Sequence, residues 1–123
     1  MRAWTVEEVN QAIPRVRAII ERIRALVREG RASAEGDAGR VHGNGQRPAG
    51  GAATTELRDA LDELAQDEIV LRDAETGLVD FPARSPSERP YWLCWLPDEP
   101  EVGWWHWPET GFAGRRPLSD PPE

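Results

Sequence analysis

The chain has 123 residues, 39% of them hydrophobic, with 11 glycines and 11 prolines; that suffices for one modest core and not for two domains. Its 15 cationic side chains, all arginine, stand against 22 acidic ones for a formal net charge of −7, which speaks against a general nucleic-acid binder, since such proteins need cationic surface to displace counterions. No apolar run approaches the ~20 residues that span a bilayer, the first residues carry no signal core, and Cys94 is the single cysteine, so the expectation is a cytoplasmic protein with no internal disulfide and no cysteine-rich zinc site.

Thr5 and Glu8 have the spacing of a capping box, which opens a helix. Val9, Ile13, Val16, Ile20, Ile23 and Val27 then recur at alternating four- and three-residue spacings, one apolar stripe of a helix over 5–29. Pro14 falls inside the stripe and predicts a kink near 10–13 or a restart there. Gly30 is placed to end the helix. Residues 31–53 hold six of the glycines and Val41 as their one large aliphatic. They bury too little to offset ordering entropy and read as a flexible linker, with His42 solvated and trypsin expected to cut first at Arg31, Arg40 or Arg47.

A second helix is predicted over 55–68, with Leu57, Leu61 and Leu64 as its stripe. Residues 54–83 carry nine acidic side chains against two arginines, whereas 1–30 carry six arginines against four glutamates. The two helices are thus complementary in charge, and an antiparallel hairpin follows. Ile69 to Arg72 can be a last helical turn or a short strand. Beyond it, Leu78 to Pro82, Tyr91 to Leu96 and Val102 to Trp107 read as strands separated by turn-rich segments. The predicted fold is α+β, a single domain over 1–123. A long antiparallel helical hairpin packs on a small antiparallel meander of three or four strands within 69–118, closed by a Gly-Arg loop.

Five stretches carry a resemblance. Thr5 to Pro14, Gly77 to Pro82, and the group Leu93-Cys94-Trp95, Trp105-His106 and Gly111 to Arg115 are similar to the signatures of a bacterial family, domain of unknown function 2203. The resemblance covers nearly the whole chain outside the linker and implies a fold without a particular activity. Trp107 stands where the family often has an acidic residue, and Leu96 where it often has arginine.

Five of the six tryptophans lie between 92 and 107. If Leu96 lies opposite Val102, Trp92, Cys94, Trp104 and His106 share one face, and Leu93, Trp95, Trp105 and Trp107 share the other; a one-residue slip would change the relation between the strands. The helices can cover one of these aromatic faces. The second needs the linker, a ligand or another chain. His106, with Asp80 and Glu109 as carboxylate company, is the candidate metal site, for a divalent ion such as zinc; no cofactor is otherwise expected. Asp80, inside an apolar strand, needs a charged partner if buried, and Arg115, after a glycine loop, is the predicted one, with His106 nearby. Asp80, Trp95, Trp105, His106 and Arg115 form the candidate ligand site, and the loop's N–H groups and two guanidiniums suit a small anion. Cys94, in an apolar run, is expected to be inert.

Two functions follow. One is a non-catalytic interaction module that self-associates, a homodimer through the helix seams or the aromatic sheet face. The other is a small-ligand or metal site, possibly hydrolytic, around Asp80, His106, Glu109 and Arg115.

Overall fold

The structure, a computed structural model, describes residues 2–37 and 48–123, with side chains over 2–30 and 54–123. Helix α1 spans Val6–Asp37 and helix α2 Pro48–Gln66, followed by β1 (Val70–Asp73), β2 (Leu78–Arg84), β3 (Pro90–Trp95), β4 (Trp104–His106), a 3-10 turn (Phe112–Gly114) and β5 (Arg116–Pro117). The strands form one antiparallel sheet in the order β1-β2-β3-β4-β5. This is the predicted α+β meander with five strands rather than three or four. Residues 70–73 resolve as strand, and Arg116–Pro117 adds a short edge against Trp104 and Trp105.

The capping box forms reciprocally: Glu8 N donates to Thr5 Oγ1 at 3.1 Å and Thr5 N to Glu8 Oε1 at 3.0 Å. α1 is one uninterrupted helix through Pro14, whose ring sits on the exposed side. It also runs past Gly30, because a lone helical glycine costs only about 1 kcal/mol relative to alanine. The two helices therefore reach into 31–53 from both ends; the rest of that segment, with Val41 and His42, lies outside the described residues.

α2 stops at Gln66 for a reason without a glycine signal. Glu68 has φ 59°, Ile69 N donates to Leu64 O at 3.0 Å and Glu68 N to Ala65 O at 3.0 Å. These two bonds make a Schellman motif with glutamate in the left-handed position, and Ile69 and Leu64 meet in the core beneath it. Gly77, by contrast, is required: at φ 81° a Cβ there would lie 2.6 Å from Pro97 Cγ and 2.8 Å from Ile20 Cγ2.

α1 and α2 lie antiparallel, tied by Arg15 to Asp67 at 2.6 Å and Arg22 to Glu56 at 3.1 Å, the charge complementarity read from the sequence. Val9, Ile13, Val16, Ile20 and Ile23 pack with Leu64, Val79, Phe81, Leu93, Trp95 and Trp105 in one core. Further along α1, Arg17 donates to Pro97 O and Glu99 O, and Arg24 to Glu75 O, tying the helix to the strand connections. Trp92 opposes His106 and Leu93 opposes Trp105, the predicted register. The helix-facing side of the sheet is therefore the one bearing Leu93, Trp95 and Trp105.

β2 continues through Pro82, where the sequence predicts a stop. β1 begins opposite Asp80, so the donor that proline lacks faces no strand. The Pro82 carbonyl instead accepts from Trp4 N at 2.7 Å, and the Trp4 ring packs edge-on against Phe81 at 5.2 Å.

Candidate functional site

On the outer side of the sheet, the two-residue period brings Asp80 of β2, Cys94 of β3, His106 of β4 and Arg72 of β1 together. Asp80 is only 1% exposed, Cys94 0% and His106 4%. Asp80 Oδ2 accepts from Arg72 Nε at 2.8 Å and meets His106 Nε2 at 2.9 Å. His106 Nδ1 lies 2.9 Å from Trp107 O. A carbonyl oxygen only accepts, so Nδ1 is the protonated nitrogen facing it. The remaining hydrogen bond then requires one proton shared between Nε2 and the carboxylate. Both ring nitrogens are thus engaged within the protein, one by a backbone carbonyl and one by the Asp80 carboxylate.

Two guanidiniums stand on indoles around this centre: Arg72 4.8 Å from the Trp92 ring, and Arg115 4.5 Å from both Trp104 and Phe112. Asp80 Oδ1 and Arg115 Nη1 are buried without a hydrogen-bond partner. Burial first, then the charge of Asp80, pushes the Cys94 thiol up to about 12, with Arg115 acting in the opposite direction. Such a thiol stays protonated at neutral pH and is a poor nucleophile.

The guanidinium bonded to Asp80 is therefore Arg72 and not Arg115. Sequence reading missed Arg72 because 69–72 was open between helix and strand; once β1 pairs Val70 with Asp80, Arg72 falls on the Asp80 face. Arg115 shares the face through Trp104. Glu109 does not join His106: it pairs with Arg89, whose guanidinium lies 3.7 Å from the Trp107 ring. Trp95 and Trp105 lie on the opposite, helix-facing side, their indole N–H groups bonded to Glu99 O at 3.0 Å and Asp120 O at 2.7 Å. Among the described residues no three histidine, cysteine or carboxylate side chains gather as metal ligands, and none of their helices is long and apolar enough to cross a membrane.

A second feature has no sequence signature. Where β1 has not yet joined β2, a groove of ≈ 610 Å³ opens, with Leu61 and Leu64 of α2, Leu71 of β1, Pro82 of β2 and Tyr91 and Trp92 of β3 among its walls. Its charged residues are Arg2, Glu68 and Arg84. Leu61, expected to be buried with its stripe, is 39% exposed here. The rest of the stripe packs inside the chain, with Leu64 buried and Leu57 packed against the core.

A family model described as an uncharacterized conserved protein (DUF2203) matches residues 2–118, and the chain belongs to that family. No curated protein and no solved structure matches it.

Proposed function

We propose that this member of the family is a non-catalytic binding protein, and that the groove beside α2 takes a small, mostly apolar molecule bearing an anionic group. The observation that carries the reading is the groove itself. At ≈ 610 Å³ it falls within the roughly 300–1,000 Å³ of small-ligand sites, and its largely apolar wall with few polar groups is the lining such sites use. Arg2 and Arg84 provide the cationic side of that lining. The Arg2 guanidinium lies 3.6 Å from the Trp4 ring, while its backbone N–H donates to the Glu68 carboxylate at the groove's edge. The Asp80 network supports binding over turnover, because both ring nitrogens of its histidine are engaged within the protein and its thiol stays protonated.

The test uses anilinonaphthalene sulfonate, an apolar aromatic anion that fluoresces when desolvated. Saturable 1:1 binding is expected. Leu61→Asp and Ala65→Trp, both at exposed positions lining the groove, should each weaken it about tenfold or more while circular dichroism is unchanged, since a misplaced charge or a filled pocket costs at least about 1.4 kcal/mol. Binding that neither substitution alters overturns the assignment. Self-association is the second reading, favoured by exposed Leu61 next to Ala65 on α2. Sedimentation showing a dimer that Leu61→Asp dissolves would select it.

A further inference from the structure

The helix-facing side of the sheet is not covered by helices throughout. Toward β5 its aromatic residues are Tyr91, Trp105 and Trp107, packed edge-to-face with ring centroids 5.6 Å apart for Tyr91–Trp105 and 4.9 Å for Trp105–Trp107. What lies against them is the chain's own segment Asp120-Pro121-Pro122-Glu123, which with Trp105, Trp107, Arg89 and Arg116 lines a second groove of ≈ 580 Å³. The segment is held by its backbone. Trp105 Nε1 donates to Asp120 O at 2.7 Å, and Ser87 Oγ donates to Glu123 O at 2.7 Å. The side-chain ion pair of this segment is long and exposed, Arg116 to Asp120 at 3.8 Å.

This is the physics of polyproline recognition. A proline pair has few conformations to lose on docking, it leaves its carbonyls free to accept from indole donors, and its rings pack flat on aromatic walls. Here the flanking residues of the segment are acidic and the groove carries Arg116, which pairs with Asp120, and Arg89, which Glu109 also engages, so charge complements shape. Residues 119–123 also fall beyond the part of the chain that the family model matches. We infer that the Trp105–Trp107 groove is a docking site for an extended, proline-containing acidic segment of a partner protein, and that the chain's own Asp120–Glu123, which lies along one side of the groove and is bonded to Trp105 and Ser87, competes in cis with that partner for those donors.

The test titrates a synthetic Ser-Asp-Pro-Pro-Glu peptide into the full chain and follows the indole N–H signals of Trp105 and Trp107 by NMR. In the wild type the resident segment lowers the competent fraction, and apparent affinity falls with that fraction. Pro121→Gly combined with Pro122→Gly keeps the backbone acceptors and raises the entropy that docking must remove. That variant should bind the peptide about fivefold more tightly than wild type. A control peptide with Ala-Ala in place of Pro-Pro should bind about fivefold more weakly than the proline peptide. Arg89→Ala, at an exposed position, should weaken binding without unfolding the chain, whatever becomes of the more disruptive Trp107→Ala. Equal affinity in wild type and the double-glycine variant, equal affinity for the two peptides, or no binding to either protein overturns the proposal. A wild-type dimer that the double-glycine variant abolishes also overturns it, by assigning the groove to a second copy's tail.

Discussion

Asp80→Ala tests the centre of the outer sheet face. The carboxylate is 1% exposed and its Oδ2 holds two partners, Arg72 Nε at 2.8 Å and His106 Nε2 at 2.9 Å. The two losses are unequal. The Arg72 side chain is 41% exposed, so on losing Asp80 it turns to water, and its share is discounted to about 1 kcal/mol or less. The His106 side chain is 5% exposed and has no such recourse; a stranded buried partner of this kind costs about 1–3 kcal/mol. The alanine also leaves a small void. Together these give about 3 kcal/mol, at the lower end of the roughly 3–5 kcal/mol for breaking a buried ion pair. Urea denaturation followed by tryptophan fluorescence measures this directly, and the melting temperature should fall by roughly 12 °C. A double-mutant cycle separates the arms. Asp80 with His106 should show a coupling of about 1.5 kcal/mol or more, and Asp80 with Arg72 under about 1 kcal/mol. An Asp80→Ala loss below about 1 kcal/mol would refute the argument, since it would mean that neither partner is stranded.

The Cys94 thiol, held up to about 12, should resist aromatic disulfide reagents at pH 8 in the native protein and react only on unfolding; native labelling would contradict its burial. Because the folded thiol keeps its proton up to about 12 while an unconstrained one releases it near 9.0, the unfolded state binds fewer protons between those values and stability falls as pH rises. Burial raises Tyr91 too, so the same sign applies there, and Cys94→Ala should flatten the alkaline part of the stability curve. Gly77→Ala should cost about 2 kcal/mol or more, since it combines a left-handed φ with close approach to Pro97 and Ile20; a neutral result in thermal unfolding would remove that requirement. Glu68→Gly should stabilise the chain by about 0.5–1 kcal/mol, relieving the left-handed cap at the cost of one exposed hydrogen bond to Arg2 N; destabilisation would mean that the Arg2 contact outweighs the backbone strain.

What was legible in the sequence were the features set by period. The Val9 to Ile23 stripe, the capping box at Thr5 and Glu8, and the pairing of Trp92 with His106 all follow from residue spacing, and the structure contains each of them. Where geometry depends on what a neighbour does not supply, spacing is silent. Pro82 reads as a stop because proline lacks a donor, yet it sits inside β2 because β1 begins too late to need that donor. Glu68 gives no stop signal, yet it ends α2 in a conformation usually left to glycine. The candidate site divides in the same way. That Asp80 needed a cation was readable from its apolar strand. Which cation was not, because the choice between Arg72 and Arg115 turns on whether four residues are helix or strand.

That division also bears on why a buried charge network and a binding groove coexist in a small sheet. Arg72 is the link: its Nε bonds Asp80, and its guanidinium lies over Trp92, whose ring lines the groove beside α2. Asp80 draws on one residue from each of β1 and β4 across β2 and β3, so the network pins the strand on which the groove's mouth depends. An apolar groove alone holds its walls only by packing, which tolerates repacking at small cost. A directional pair adds a preference for one register, since a slip of β1 relative to β2 would unpair Arg72 from Asp80, a loss of about 1 kcal/mol or less with the Arg72 side chain 41% exposed. On this argument Arg72→Ala should do little to global stability while loosening Trp92. The expected readout is weaker binding of anilinonaphthalene sulfonate, about threefold, at nearly unchanged urea midpoint. Equal loss in both measurements would make Arg72 a general stabiliser, and no loss in either would detach the network from the groove.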